Sequence, residues 1–395
     1  MNTNKILPLA ILSVITIFCY ACANTSANER FYYNENNSVK FDDKYDLKEV
    51  SVISFPLDTS TGFYNYSLEM FYDKDSARHL VLFNELNHSL YMYDYDRRTL
   101  ERKITFQREG PNGIGNYGDM GFHVLKNEQI LLFNYWEARL LLANYNGEVL
   151  KRIDLKPLNP ANRDFASKVN ANLPLIEKDN KVYIFGDLLN LSGNYDKVRN
   201  MIEVNLDDFK IRWLLPFPTL YNDANWGQNS NQLQASGVYN PEKGKFIVNF
   251  SASPYLYETD LQQFNKEHYA GSKYFKSITP LSGSTSNEYK FTTPAYRYLY
   301  YDPFGKMYYR KAFIPFSKAD FRKYSERDLF QKIRHSIIMI DTAFNKTGEV
   351  ILDRDLYDIN MLFFSREGLN IANLAKYNQN EDSLYFSIFK PELKK

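Results

Sequence analysis

The segment 216–237 combines residue types that bind sugars or peptides. It contains Tyr221, Trp226 and Gln228 together with several asparagines. An aromatic ring can stack on a sugar ring or grip a peptide while neighbouring amides form hydrogen bonds. We therefore expect Trp226, Tyr221 and Gln228 to contact a ligand. The alternative is that Trp226 only holds its own loop in place, because large loops need internal packing.

Three other positions are candidate contacts with a ligand. Arg108 begins the glycine-rich segment 108–115, which we predict to be a structural turn because it lacks the Gly-Lys-Ser/Thr ending of a phosphate loop. Arg297 and Tyr298 lie in an apolar run that could be an innermost strand facing a central channel. Arg297 could equally be paired with a carboxylate nearby. We expect His335, near a predicted helix, to be an ordinary surface histidine.

Motifs of known chemistry are missing from the sequence. It contains neither a G-x-S-x-G nor an H-E-x-x-H pattern, and its five histidines are scattered. The segment 73–75 is too short for a calcium loop. The two cysteines, Cys19 and Cys22, both lie near the N-terminus, so the rest of the chain has no thiolate ligand or cysteine nucleophile. We therefore predict no catalytic residue, no metal and no cofactor.

The composition is that of a globular protein. The 395 residues carry a net charge of +1, and 44% are hydrophobic and 24% charged. A charge near zero gives no reason to propose a nucleic-acid partner. Aromatic residues make up 16% of the chain, which favours half-buried strands over helices. We expect a monomer.

The N-terminus has the features of a lipoprotein signal. Lys5 precedes an apolar run at 6–20, and the small residue Ala21 stands directly before Cys22. We predict a signal peptide at 1–22 and a lipid on Cys22, which anchors the protein to the cell envelope, at the outer membrane. An ordinary secretory signal is the alternative. Residues 23–46 are polar and are predicted to form a flexible tether.

Strand patterns repeat along the remaining chain, from 47 to 395. Two short apolar runs and one alternating run occupy 79–106 and recur at 129–155. A period near 50 residues with several strands per unit is typical of a β-propeller. Five internal units are predicted, at 67–106, 118–155, 173–216, from 236 onward, and from 295 onward.

The two ends of the chain are predicted to complete a sixth unit. The strand at 46–55 has no partners before it, whereas 359–364, 368–374 and 383–389 lack an outer strand. Pairing the ends would close the ring and remove an exposed sheet edge. The predicted fold is all-β, a six-bladed β-propeller with four-stranded blades, an N-terminal strand closing the last blade and one helical insert at 317–333 in blade five. Seven blades remain possible.

In a propeller, the loops from fourth to first strands and from second to third strands open on one face. The long predicted loops are of this kind, at 107–117, 156–172, 216–237 and 262–291. Binding residues commonly lie on loops that a rigid scaffold holds in place. We therefore place the ligand site on this loop-rich face.

The chain resembles the six-bladed, TolB-like propeller lipoproteins of uncharacterised function from Bacteroidota. The resemblance rests on Cys22, on the Gly110-Pro111-Asn112-Gly113 loop and on the Tyr145-Asn146-Gly147-Glu148 turn. It implies the architecture over nearly the whole mature chain and brings no catalytic residues.

These observations predict a lipid-anchored binding or interaction module of the cell envelope. Its ligand would be a glycan, a peptide or a partner protein on the loop-rich face. The alternative is an enzyme acting at the channel mouth, such as a calcium-dependent lactonase or a lyase, because propellers host both kinds of function.

Overall fold

The structure is a computed structural model. It describes residues 43–115, 120–125, 127–156, 165–166, 169–188, 195–222, 224–227, 230–275, 277–283 and 285–395. The predicted signal peptide, Cys22 and nearly all of the tether therefore lie outside the described residues.

Six four-stranded antiparallel sheets are arranged as blades in a ring, as the sequence predicted. In blades one to five the chain runs from the inner strand to the outer strand of each blade. Blades one and two contain β2 Leu68–Tyr72, β3 Arg78–Asn84, β4 Ser89–Asp94, β5 Thr99–Thr105, β6 Met120–Leu125, β7 Gln129–Asn134, β8 Arg139–Asn144 and β9 Val149–Asp154. Blade three contains β11 Ile176–Lys178, β12 Lys181–Phe185, β14 Met201–Asn205 and β15 Ile211–Leu214. Blades four and five contain β16 Ala235–Asn240, β17 Lys245–Phe250, β18 Tyr255–Thr259, β19 Phe264–Tyr269, β20 Ala295–Asp302, β21 Met307–Ile314, β22 Arg334–Asp341 and β23 Lys346–Ile351.

The two ends of the chain close the ring. Blade six consists of β24 Tyr357–Ser365, β25 Gly368–Asn373 and β26 Ser383–Leu393, with β1 Tyr45–Pro56 as its outer strand. In the register of this pair, Glu49 lies opposite Phe389 and Phe55 lies opposite Leu384. The predicted pairing of the ends is confirmed, and the ring has six blades rather than seven.

Short elements decorate the ring. The strands β10 Phe165–Ala166 and β13 Asp187–Leu188 form a small ribbon. Within the described residues, the α-helices are Ser286–Thr292, Lys318–Lys323, Glu326–Lys332 and Leu374–Tyr377, and the 3-10 helices are Tyr195–Lys197, Thr219–Tyr221 and Asn231–Leu233. None of the helices in the described ranges is both long and apolar enough to cross a membrane.

Polar residues at the ends of the third strands hold the turns that follow. The Asp94 carboxylate accepts hydrogen bonds from the backbone N–H groups of Asp96 and Arg97, both at 2.7 Å. The Asn144 side chain accepts from the N–H groups of Asn146 and Glu148, both at 3.0 Å. Asx side chains satisfy turn backbone in this way, which explains their recurrence at this point of the repeat.

The core lies between the blades. Within the described ranges, five hydrophobic clusters each join residues of neighbouring blades. Between blades six and one, the Phe55 ring contacts Tyr93 and Phe386 at centroid distances of 5.5 and 6.2 Å. The middle strands are apolar on both faces because both faces are covered by neighbouring blades.

The structure differs from the sequence-based expectation at two places. The segment 262–291 was expected to be loop, but it contains the outer strand Phe264–Tyr269 and the helix Ser286–Thr292. That strand is mostly polar because it lies at the edge of its blade, so it has no apolar run. The insert at 317–333 is two short helices, each capped by a serine: Ser317 accepts from the Asp320 N–H and Ser325 from the Asp328 N–H.

Candidate functional site

A cavity of about 1530 Å³ opens at the ring axis on the loop-rich face. All six blades line it, through residues in or just before the inner strands, residues in or just after the second strands, and the helical insert of blade five. Ser230 from the 216–237 loop and Phe330 from the helical insert both border it. The prediction that these two segments share one face is therefore confirmed.

The expectation of an exposed stacking tryptophan in this loop is wrong. Trp226 is 0% exposed, and its ring packs on that of Tyr221 at a centroid distance of 5.3 Å. Tyr221 is also 0% exposed, and its hydroxyl donates to the Gln232 carbonyl at 2.8 Å. The loop folds back onto blades three and four and needs these large rings as its own core. Gln228 lies outside the described residues.

Arg297 and Tyr298 do line the cavity, as expected from their place on an inner strand. The pairing of β20 with β21 shifts between Tyr296 and Tyr298, which leaves Arg297 as the extra residue of a β-bulge. Bulges re-aim side chains and are common beside functional sites. The Arg297 guanidinium donates to the Asn231 side-chain oxygen at 2.5 Å.

Arg108 is exposed on the loop-rich face but is not among the residues that line the cavity. The glycine-rich segment around it is a structural turn, as predicted. The Arg152 guanidinium donates to the carbonyls of Pro111 and Gly113 at 2.7 and 2.8 Å, which fixes the turn to blade two.

Lys311, which the sequence analysis missed, lies at the floor of the cavity. It is 1% exposed, and its ammonium nitrogen is 2.8 Å from the Asn360 side-chain oxygen and 3.5 Å from that of Asn172. Burial lowers the pKa of Lys311 to about 7. The signal in the sequence is a pair of basic residues, Arg310 and Lys311, in the middle of the otherwise apolar and aromatic strand Met307–Ile314.

A second irregularity in strand pairing, in β24, positions the Asn360 side-chain oxygen that accepts a hydrogen bond from Lys311. Pairing with β25 skips from Asp358 to Leu362, so Asn360 lies on an unpaired stretch. Its backbone N–H and side-chain N–H both donate to Asp358 Oδ1 at 2.9 Å. Asn172 of blade three donates to the Asn360 carbonyl at 2.9 Å. The inner strands of blades five and six are thus both irregular at the cavity.

His335 is partly exposed, as expected of a surface histidine, and it also belongs to this site. It lines the cavity, and burial, together with the charges of Lys311, Arg297 and Arg354, holds its pKa well below the usual value. Among the described residues, no carboxylate lies within ion-pair distance of Arg297, Lys311 or Arg354. Asp353, Asp355 and Asp358 line the same cavity, and Asp358 partly offsets the positive charge at Lys311, but none of these three forms an ion pair with the basic groups.

The rim of the cavity carries exposed aromatic residues that the sequence analysis also missed. Tyr64 and Tyr66 are 71% and 41% exposed, and their ring centroids are 5.9 Å apart. On the same face, Trp136 is 66% exposed in the turn between the second and third strands of blade two. The signal available in the sequence was a tryptophan within the short turn 135–138, between two strands.

The described part of the chain holds no group of three or more His, Cys, Asp or Glu side chains suited to a metal ion. The residues at the cavity can instead supply hydrogen-bond donors, positive charge and aromatic surface. This set is suited to binding a polar ligand.

Two crystal structures have the same fold. A member of the DUF4221 family from Bacteroides vulgatus aligns with a TM-score of 0.77 and 21% identity, over 89% of this chain and 100% of its own. A Bacteroides fragilis protein named as a candidate exported protein aligns with a TM-score of 0.53 and 12% identity, over 92% of this chain and 98% of its own. At these identities the likeness shows the fold. No curated protein matches the chain.

The resemblance stated from the sequence agrees with these structures in its propeller architecture, while its TolB-like and lipoprotein details stay predictions. Residues 38–351 match the family described as "Domain of unknown function (DUF4221)". This match spans most of the propeller, and the chain therefore belongs to the DUF4221 family.

Proposed function

We propose that this protein is a lipid-anchored binding protein of the cell envelope that takes a glycan into the cavity at the ring axis. The observation that carries the proposal is the cavity itself, which all six blades line and at whose rim the paired rings of Tyr64 and Tyr66 are exposed. Aromatic rings held in pairs offer flat surface to sugar rings at little cost in conformational entropy.

The size and polarity of the cavity support a glycan over a small apolar ligand. Its volume of about 1530 Å³ exceeds that of most drug-sized sites. Polar side chains such as Asn65, Asn170, Asn231 and Gln234 line it beside the charged residues. A peptide or partner protein on the same face is the competing ligand class, and the test below separates the two.

The test is a screen of the full-length protein against glycan and peptide arrays, followed by calorimetry with the best ligand. We expect glycans to bind and Tyr64→Ala to weaken that binding by about tenfold or more, which corresponds to roughly 1.4 kcal/mol. Phe304→Ala is the matched control, because Phe304 is also partly exposed but lies in a turn on the opposite face.

Two results would contradict the proposal. One is binding of peptides without any glycan, which would assign the face to protein recognition. The other is glycan binding that Tyr64→Ala and Phe304→Ala weaken equally, which would place the ligand outside the cavity.

A further inference from the structure

We propose that the cavity contains a subsite for an oxyanion, formed by Arg297 and Arg354 above the buried Lys311. The chemical class is a carboxylate or a sulfate ester, so that the bound glycan would carry an acidic sugar. This inference rests on the proposed function for the identity of the ligand, but the anion site itself can be tested with simple anions.

The first argument is that the buried Lys311 ammonium has lost most of its hydration. A buried ammonium without a carboxylate partner loses hydration that carbonyl and amide oxygens replace only in part. In the described part of the chain, the Lys311 ammonium donates hydrogen bonds to oxygens of Asn360, Asn172 and Ile359 and to no carboxylate. An anion that reaches the cavity floor would therefore gain Coulomb energy in a region of low dielectric.

The second argument is that Arg297, on β20, and Arg354, in the turn before β24, both line the same cavity. Both act electrostatically on Lys311 and on His335, so all four groups share one region. The Arg297 side chain is held by Asn231, and one nitrogen of Arg354 is held by the carbonyls of Phe330 and Ile333. Each guanidinium has five N–H donors, so further donors are available for an anion.

The third argument concerns the nearest acid. Asp358 lines the cavity but is already engaged, because its Oδ1 accepts two hydrogen bonds from Asn360. Its charge favours the protonated form of Lys311 but makes no ion pair with it. Tyr66 and Lys311 line the same cavity, so one ligand could place a sugar ring on Tyr66 and an acidic substituent near Lys311.

Binding should depend on pH through Lys311. The titratable or charged groups that face it from the packed elements are Arg297, Tyr298 and Tyr300 of β20, His335 of β22, and Arg354 and Asp358 beside β24. Without ligand, burial lowers the pKa of Lys311 to about 7, and an anion raises it again. Affinity should thus be constant below pH 6.5 and fall by up to about tenfold per pH unit above pH 7.5, with uptake of a proton on binding.

The experiment measures binding of acetate, inorganic sulfate, glucuronate and glucose to the full-length protein by calorimetry between pH 6 and pH 9. We expect the three anions, but not glucose alone, to show affinity that falls with pH. In Lys311→Met the pH dependence should vanish, and Arg297→Gln and Arg354→Gln should each weaken binding by about tenfold. Lys74→Gln is the matched control, since it removes one positive charge from an exposed turn on the opposite face.

The subsite is overturned if none of the anions binds, or if Lys311→Met keeps the same affinity and pH profile as the unchanged protein. A melting curve of each variant shows whether it is folded, and Arg354→Gln, at an exposed position, keeps the test decisive if Lys311→Met does not fold. Neutral glycans that bind without any preference for acidic ones would overturn the subsite and leave the proposed function standing. If simple anions bind through Lys311 but no glycan binds on any array, the anion subsite stands and the proposal of a glycan ligand is overturned.

Discussion

His123 Nδ1 lies 2.9 Å from Glu69 Oε2, and this contact joins the inner strands of blades two and one. The other ring nitrogen, Nε2, lies 3.3 Å from Glu177 Oε2 on the inner strand of blade three. One imidazole therefore connects three neighbouring blades around the axis. Burial alone would lower the pKa of His123, but the two carboxylates outweigh it and raise the pKa to about 10.

The first prediction concerns this contact. Because the pKa of His123 rises from 6.5 to about 10 on folding, the folded state holds an extra proton between these values. The stabilisation that the protonated His123 gains from Glu69 and Glu177 is complete below pH 6.5 and is lost as the pH rises toward 10. His123→Gln should therefore lower the free energy of unfolding by about 3 kcal/mol at pH 6 and by much less near pH 10.5. Urea unfolding of both proteins at both pH values measures this, and an equal loss at each would contradict it.

The second prediction concerns ring closure. Phe55 is fully buried between blades six and one, so Phe55→Ala should lower the free energy of unfolding by about 3–5 kcal/mol. Val50 on the same strand is 52% exposed, and Val50→Ala should change stability by less than about 0.5 kcal/mol. Similar effects of the two changes would show that β1 contributes little to the closure of the ring.

The third prediction separates two tryptophans. Trp226→Ala should destabilise the protein by about 3–5 kcal/mol, because it empties a fully buried site in the core of blades three and four. Trp136→Ala should leave the melting temperature almost unchanged, since that ring is 66% exposed. Scanning calorimetry of both variants checks this, and a stable Trp226→Ala protein would contradict the packing role of Trp226.

The fourth prediction concerns the N-terminus. If Cys22 carries the lipid, Cys22→Ser should move the protein from the membrane fraction to the soluble fraction and abolish incorporation of labelled fatty acid. Cys19→Ser is the matched control, because it removes the neighbouring cysteine and should leave both properties unchanged. Unchanged fractionation of Cys22→Ser would leave an ordinary secretory signal as the explanation of the sequence.

The architecture was readable from the sequence because each blade repeats one local pattern. Apolar second and third strands, such as Arg78–Asn84 and Ser89–Asp94, are covered on both faces, so each appears in the sequence as a continuous apolar run. The unpaired strand at 46–55 could then be matched to the C-terminal strands by the need to close the ring. Phe264–Tyr269 escaped prediction because an edge strand with one wet face needs no apolar run.

The site could be placed on a face but could not be assembled from the sequence. The order of the strands determines on which side the loops of 216–237 and 317–333 emerge, and this follows from chain direction alone. Whether Trp226 is exposed depends on how its loop packs against Tyr195 and Tyr221, which are contacts within the fold. Lys311, Asn172 and Asn360 are up to 188 residues apart and meet only because three blades surround one axis. The lowered pKa of Lys311 results from burial among these residues of different blades, and no local sequence pattern predicts that burial.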